Sequence, residues 1–436
     1  QVGGDLYQDK PPVFFWTIAA GYLLSDSLRL AFLLPSLLAG IGTVLLTYDL
    51  GRRVWSREVG LAGALLLLAS VQLVIQARAA QIDMLLAFFT TAALYGIGRH
   101  LLAGPDWRAY AAGGFAAGVG VITKGTGFLP LLLLVPFFAL RRLGFSGLWA
   151  GRGGARWWLA PAALLGGISL WFVPMVVTVA VSGDPALAAY RDEILFQQTV
   201  KRYAAAWGHT EPWYYFIVQV IPALWLPGTL LLPWLWPRWR EAWRGRDGRS
   251  WLLLGWVVLV VLFFSLSTGK RGVYILPALP AFALAAAPYL PGLLARAGVQ
   301  RALFALALAV VVAAGAAAAY VGLIRPGELA NLAERVSSSL SHIYADEFQL
   351  TIPEWRVIAN LAEHGTLNAR QIVDFTTMEK SKVSRAVNNL SARGLVSQQR
   401  AQGGLHGFHR KGGRSLGMAG VHIPRLAGRG GWTNLF

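Results

Sequence analysis

The sequence predicts an all-α polytopic membrane bundle of about ten spans, followed by a small soluble domain and a tail. Three observations carry this. Hydrophobic residues make up 56% of the 436 and charged residues only 14%, outside the balance of globular proteins. The 18 Trp, 49 Gly and mean hydropathy of +0.51 fit helices in lipid, with Trp at the interfaces and small residues where helices cross closely. Finally, apolar stretches of bilayer-crossing length recur along most of the chain.

These stretches fall at 28–49, 60–76, 83–102, 109–122, 126–140, 157–181, 213–236, 251–268, 272–290 and 301–324. The fourth and fifth are short and separated only by Thr123, Lys124 and Gly125, which fits half-buried or broken helices as well as full spans. Ahead of them, Pro11 and Pro12 fix an extended turn before an apolar helix starting at Val13. The membrane domain is therefore set at 1–324. After Pro326 the chain turns polar, with Glu328, Glu334, Asp346, Glu347 and Glu354 among Leu, Ile and Val at helical spacing, and 325–396 reads as a soluble domain. Residues 397–436 are Gly-rich and basic without sustained periodicity, and are expected to be disordered. No Met or apolar signal stretch precedes Asp5, so the chain is expected to begin inside a longer protein.

Zero Cys excludes a disulfide scaffold, thiol nucleophiles and Cys-ligated metals. The net charge of +18 matters through its distribution. Assigning alternate loops to opposite faces collects Arg52, Arg53, Arg99, Arg108, Arg141, Arg142, Arg246 and Arg249, among others, on one face, which is cytoplasmic by the positive-inside rule. The other face holds fewer cations, mostly beside an acid, a His or a Gly/Pro turn. Charge kept at a membrane edge against the general bias marks a functional site, so the chemistry should face outward.

Five clusters lie on that face. Asp9-Lys10-Pro11-Pro12 places an acid and a base at the interface, able to hold a metal or hydroxyl and a phosphate; the plainer reading is an interfacial anchor with a snorkelling Lys. Arg78 and Asp83 flank a span entrance, where a structural ion pair between them is the bland alternative. Thr123-Lys124-Gly125 superficially suggests a phosphate loop but lacks its leading glycine. The outer loop of about 182–212 carries His209, a metal ligand or proton shuttle if not a solvated loop residue. Lys270-Arg271 with Tyr274 and Pro277 sets two cations near the bilayer, suited to an anionic lipid headgroup.

In this order the five clusters resemble the bacterial glycosyltransferase 39 group of GT-C membrane enzymes, which contains the aminoarabinose and protein mannosyl transferases. The resemblance runs over about 1–324. It implies a GT-C-like bundle in the bacterial inner (plasma) membrane with an outward-facing site. There a sugar passes from a polyprenyl-phosphate donor to an acceptor hydroxyl on a glycolipid or protein. Lys10, Lys124, Lys270 and Arg271 would bind the donor phosphate, Arg78 and Tyr274 would position substrate, and Asp9, Asp83 and His209 would be catalytic. Asp9 and His209 would also hold a divalent metal, Mg²⁺, Mn²⁺ or Zn²⁺. Family members carry an acidic pair upstream of Asp9, so this chain as it stands is expected to be inactive. Asp9, Lys10, Asp83, Lys124, His209 and Lys270 are expected to converge on one outward-facing cavity with an apolar flank open to lipid.

The soluble segment resembles a different family. Leu350 to Ile358, Leu367 to Ile372, Lys380 to Leu390 and Gly394-Leu395-Val396 look like a MarR-type winged helix-turn-helix, an α(+β) domain. Its DNA-reading helix would span about 379–392 and carry Lys380, Ser381, Lys382, Ser384 and Arg385. The wing's usual Asp-Arg pair is replaced by Gln398 and Gln399. Ten spans would place this domain outside, away from DNA, which implies that the fusion is an artefact of the gene model. DNA is a partner only if the domain is genuine and cytoplasmic.

Two other functions compete. A lipid or solute transporter suits a polytopic bundle with charged residues, but the charges lie at one face and no internal repeat is evident across 1–324. A membrane-tethered MarR-type transcription regulator would need far fewer spans as an anchor.

Overall fold

The computed structural model describes residues 11–192, 211–267, 269–320, 350–364, 366–376, 378–400 and 406–410. The chain divides into two compact units, one of Leu6–Leu308 and a second that contains Ala309–Phe436.

The named elements among the first unit's described residues are all helical, and Ser146 and Asp247 form an isolated β-bridge. Its helices are α1 (Val13–Ser25), α2 (Leu28–Val54), α3 (Arg57–Leu68), α4 (Val71–Ala77), α5 (Ile82–Leu102), α6 (Trp107–Lys124), α7 (Leu134–Arg142), α8 (Leu159–Ser182), α9 (Pro185–Asp192), α10 (Leu232–Arg244), α11 (Gly248–Leu266), α12 (Leu279–Ala286) and α13 (Ala297–Ala319), the last running on past the unit's edge. Among the described residues six helical stretches are long and apolar enough to cross a membrane. The number rises to eight if each of two bent pairs counts as one span. The expected ten therefore do not follow from length and composition alone. At about 1.5 Å per residue, α2 is roughly 40 Å long, more than a bilayer core. Exposed Leu and Phe side chains elsewhere in the unit, such as Leu65 on α3 and Leu165 and Phe172 on α8, have no aqueous rationale and suit lipid.

Glycines decide which helices touch. A Cβ on Gly96 would lie 2.7 Å from the Gly113 Cα, and one on Gly118 would lie 2.2 Å from the Leu164 carbonyl and 2.9 Å from the Gly167 Cα. Thus α5 packs backbone to backbone on α6, and α6 on α8, as small residues permit in lipid. Around this layer Met84, Leu94, Ile97, Leu129, Phe137 and Trp256 are fully buried. The 3₁₀ segment Leu129–Leu133 leaves the Leu129 carbonyl to accept the indole N–H of Trp256 at 2.8 Å, which satisfies both polar groups inside the core.

Polar residues sort to the two ends. Where α2, α5 and α6 end or begin, Asp49 pairs with Arg52 and Arg53 and accepts the Tyr95 hydroxyl at 2.6 Å. Arg99 pairs with Asp106 at 2.7 Å. The opposite ends of α5 and α6 carry Asp83 and Lys124.

In the second unit, α14 (Ile352–His364), α15 (Ala369–Thr376) and α16 (Lys380–Ala392) pack around Val357, Leu361, Ile372, Val383, Val387 and Leu390. Strands β1 (Leu367–Asn368), β2 (Val396–Arg400) and β3 (His406–Arg410) form an antiparallel sheet in the order β1-β3-β2. Asn368 and Gln371 exchange side-chain-to-backbone hydrogen bonds of 2.9 Å, a reciprocal cap that starts α15. Gly394, at φ +70°, ends α16, with the Leu395 N–H on the Leu390 carbonyl at 2.9 Å. The boundary expected at 396/397 falls inside this hairpin. Residues 397–400 and 406–410 are strands rather than tail, because the β2–β3 ladder pairs Val396 with Arg410 through to Arg400 with His406.

Candidate active site

The site is built on the ends of α5 and α6. Asp83 lies in the first turn of α5 and Lys124 in the last turn of α6, where each charge is favoured by its helix dipole. Gly125 at φ +66° stops α6 immediately after the lysine, a conformation that glycine adopts without strain. The antiparallel packing of α5 on α6 then brings the Lys124 ammonium onto the Asp83 carboxylate. The carboxylate is buried, at 7% exposure, so its cost in lipid is offset by this partner. The expected alternative, Arg78 paired with Asp83, is not what forms. Arg78 caps α4 with its side chain exposed.

On its other side the Lys124 ammonium lies 4.6 Å from the centroid of the Tyr274 ring, a cation–π contact. Tyr274 sits in the 3₁₀ segment Gly272–Ala278, its ring 5.5 Å from that of Phe264. Gln72 fixes that segment. Its amide donates to the Gly272 carbonyl at 2.8 Å and accepts the indole N–H of the buried Trp225 at 2.7 Å.

The two bent helix pairs meet at this point. The α3–α4 bend of 68° and the 104° bend between Phe216–Leu224 and Thr229–Arg244 expose backbone that the other supplies with partners. Ser70 Oγ donates to the Leu224 carbonyl at 3.2 Å, and the Val71 N–H to that of Leu226 at 3.2 Å. Broken helices at membrane depth survive when their freed groups are satisfied in this way. The apolar stretch 60–76 carried the signal in a polar residue, Gln72, but nothing in the spacing named its partners, Gly272 and Trp225.

Lys270 is buried, at 5% exposure. Its ammonium donates to the Ser267 carbonyl at 2.6 Å and to the Glu211 carbonyl at 2.9 Å, leaving one of its three protons. Arg271 beside it is exposed. Asp83, Lys124 and Tyr274 are thus brought together, while Lys270 braces the turn that leads into Tyr274. Asp9, Lys10 and His209 lie outside the described residues. Among the described residues no three His, Asp or Glu side chains gather as a metal site, and the Asp83 carboxylate is already taken up by Lys124. In the second unit Lys380, Ser381, Lys382, Ser384 and Arg385 all lie exposed on α16, with Val383, Ala386 and Val387 buried on its other side.

The dolichyl-phosphate-mannose-protein mannosyltransferase family matches residues 9–149 and the MarR family residues 348–404. The undecaprenyl phosphate-alpha-4-amino-4-deoxy-L-arabinose arabinosyl transferase 1 of Pseudomonas fluorescens is 31% identical over 300 residues, covering 64% of this chain and 49% of that protein. A counterpart from Pseudomonas aeruginosa is 30% identical over 292 residues, with 64% and 49% covered. The chain therefore spans about half the length of the curated relatives it matches. The crystal structure of ArnT from Cupriavidus metallidurans bound to undecaprenyl phosphate superposes with a TM-score of 0.60 at 21% identity, covering 88% of this chain and 67% of that one. Its apo form gives 0.59 at 22% identity, with 88% and 66% covered. At such identity the likeness is one of fold. Both resemblances read from the motifs, to the aminoarabinose and mannosyl transferases and to the MarR family, recur in these comparisons.

Proposed function

We propose that residues 1–324 are the membrane part of a glycosyltransferase that takes a sugar from a polyprenyl-phosphate donor at the outward face of a bacterial inner membrane. The acceptor hydroxyl, on a glycolipid or protein, attacks the anomeric carbon from the face opposite the phosphate. The bond from that carbon to the phosphate oxygen breaks, its electron pair leaves on the polyprenyl phosphate, and the acceptor proton passes to a carboxylate or imidazole base. Negative charge develops on the departing phosphate, so fixed cations there lower the barrier.

The observation that carries the reading is the placement of Lys124 between Asp83 and Tyr274. Here Asp83, in contact with the Lys124 ammonium, orients it toward the departing phosphate. Lys270, through its remaining proton, and Arg271 add two positive charges to an otherwise neutral Asp83–Lys124 pair, which favours an anionic headgroup. Asp9, Lys10 and His209 complete the proposal as base, phosphate ligand and acceptor- or metal-binding groups. A divalent metal would supply further charge to the phosphate, held by Asp9 and His209, and no step above depends on it.

The test is to titrate undecaprenyl phosphate into the purified chain and into Lys124→Ala. Saturable binding that weakens at least about tenfold in the variant, the loss of one charge-assisted contact, is expected. Equal binding by both proteins would sink the assignment. In proteoliposomes, movement of the intact donor across the bilayer without release of polyprenyl phosphate would favour the transporter reading instead.

For the second unit, the exposed cations of α16 and the match to the MarR family support a separate reading as a duplex-binding winged helix, with α16 in the major groove.

A further inference from the structure

Between α2, α5 and α6, at the Arg-rich ends of these helices, lies an open groove of about 480 Å³. Its walls are Leu46, Ala92, Ala112 and Ala116, and Tyr95, Arg99 and Arg108 stand at one end. Its floor is the contact of α5 on α6, where Gly96 and Gly113 let the two backbones touch. From Ala109 to Ala116 the groove runs seven residues along α6, roughly 10 Å into the apolar depth. It is remote from the Lys124 site, since Arg108 and Lys124 lie sixteen residues apart on the same helix, roughly 24 Å.

The charges at its mouth are unequal. Arg99 is committed to Asp106 at 2.7 Å, and Asp106 also accepts the Ala109 N–H at 2.9 Å. Tyr95 gives its hydroxyl to Asp49, which in turn holds Arg52 and Arg53. Arg108 is exposed and has no ion-pair partner among the described residues. Arg99 and Arg108 thus line the groove against one aspartate, Asp106, and the adjoining Asp49–Arg52–Arg53 cluster adds a further positive charge, an excess of two beside a channel with apolar walls. A free anion would leave the channel in contact with lipid tails or empty, and a neutral lipid would leave the excess charge unmatched.

We propose that this groove is a binding site for an anionic glycerophospholipid, its phosphate on Arg108 at the mouth and one acyl chain along Leu46, Ala112 and Ala116. Basic pockets between membrane helices on the Arg-rich side recognise acidic headgroups in this way. The lipid would bridge α2 to the α5–α6 pair, sealing a seam that the protein's own side chains leave open. This inference does not depend on the glycosyltransferase reading.

The chain is transferred from detergent into native mass spectrometry with equimolar phosphatidylglycerol and phosphatidylcholine of identical acyl chains. Wild type should retain phosphatidylglycerol about fivefold more than phosphatidylcholine, the increment of one basic residue at an acidic headgroup. Arg108→Gln should abolish that preference while leaving phosphatidylcholine unchanged. Ala112→Leu, at an exposed position on the groove's lip, should lower retention of both lipids by obstructing the channel, and serves as the reporter should Arg108→Gln fail to fold. Inorganic phosphate alone should give no thermal shift. No preference in wild type, a preference untouched by Arg108→Gln, or retention of both lipids untouched by Ala112→Leu would overturn the proposal, as would a thermal shift with phosphate equal to that with phosphatidylglycerol.

Discussion

Gln72 accepts the indole N–H of Trp225 at 2.7 Å and donates to the Gly272 carbonyl at 2.8 Å, joining three segments far apart in the chain. Through Gly272 it sets the turn that holds Tyr274 against Lys124. A Gln72→Leu replacement leaves the buried Trp225 N–H and the part-buried Gly272 carbonyl without this partner, at about 1–3 kcal/mol for the buried group. The expected result is a lower melting temperature in detergent together with weaker undecaprenyl phosphate binding. Unchanged binding would separate this hydrogen-bonded knot from the site.

Asp83 and Lys124 separate stability from ligand affinity. Asp83→Asn leaves the lysine without its partner near the bilayer edge, and about 3 kcal/mol of stability should be lost, read as a drop in melting temperature. Lys124→Ala should lose both stability and phosphate binding. The paired replacement, with Asp83→Asn and Lys124→Ala together, should cost less stability than the sum of the two, which a double-mutant cycle measures.

The α6–α8 crossing should tolerate no side chain at Gly118. Its Cβ would lie 2.2 Å from the Leu164 carbonyl, a backbone atom that cannot step aside, so the helices must separate. Gly118→Val is expected to abolish a cooperative thermal transition, whereas Gly166→Ala, at a position with open space around it, should melt as wild type.

Asp106 caps α6. Its carboxyl is held below the usual carboxylate range chiefly by the Ala109 N–H it accepts, with Arg99 adding to the effect. A depressed folded pKa means that the cap contributes fully above the unfolded value and is lost as pH falls through the folded one. Melting temperature should therefore drop on acidification in wild type more than in Asp106→Ala, which should start about 1 kcal/mol less stable at neutral pH.

On the second unit, Lys382 and Arg385 are exposed on α16. If this helix meets duplex DNA, Lys382→Ala should reduce the slope of log affinity against log salt by about one. An unaltered slope would remove that lysine from the phosphate contacts.

The sequence by itself determined the helical membrane class and marked out the candidate polar residues at the helix ends. Hydropathy requires helices wherever lipid removes water as a partner for the backbone, so α2, α5, α8, α11 and α13 were legible to within a few residues of their ends. The polar residues at the membrane edge stood out because charge there is costly unless used. What the sequence left open was pairing. Asp83 has Arg78 five positions away and Lys124 forty-one away, and nothing local prefers the distant one. Only the close crossing of α5 on α6, allowed by Gly96 and Gly113, brings the ends of those helices together. The same holds for Gln72, a polar residue in an apolar stretch whose partners come from two other broken segments. Hydrophobicity is a property of each residue and its period, whereas an ion pair or a buried hydrogen bond is a property of two chain segments that only tertiary packing sets side by side.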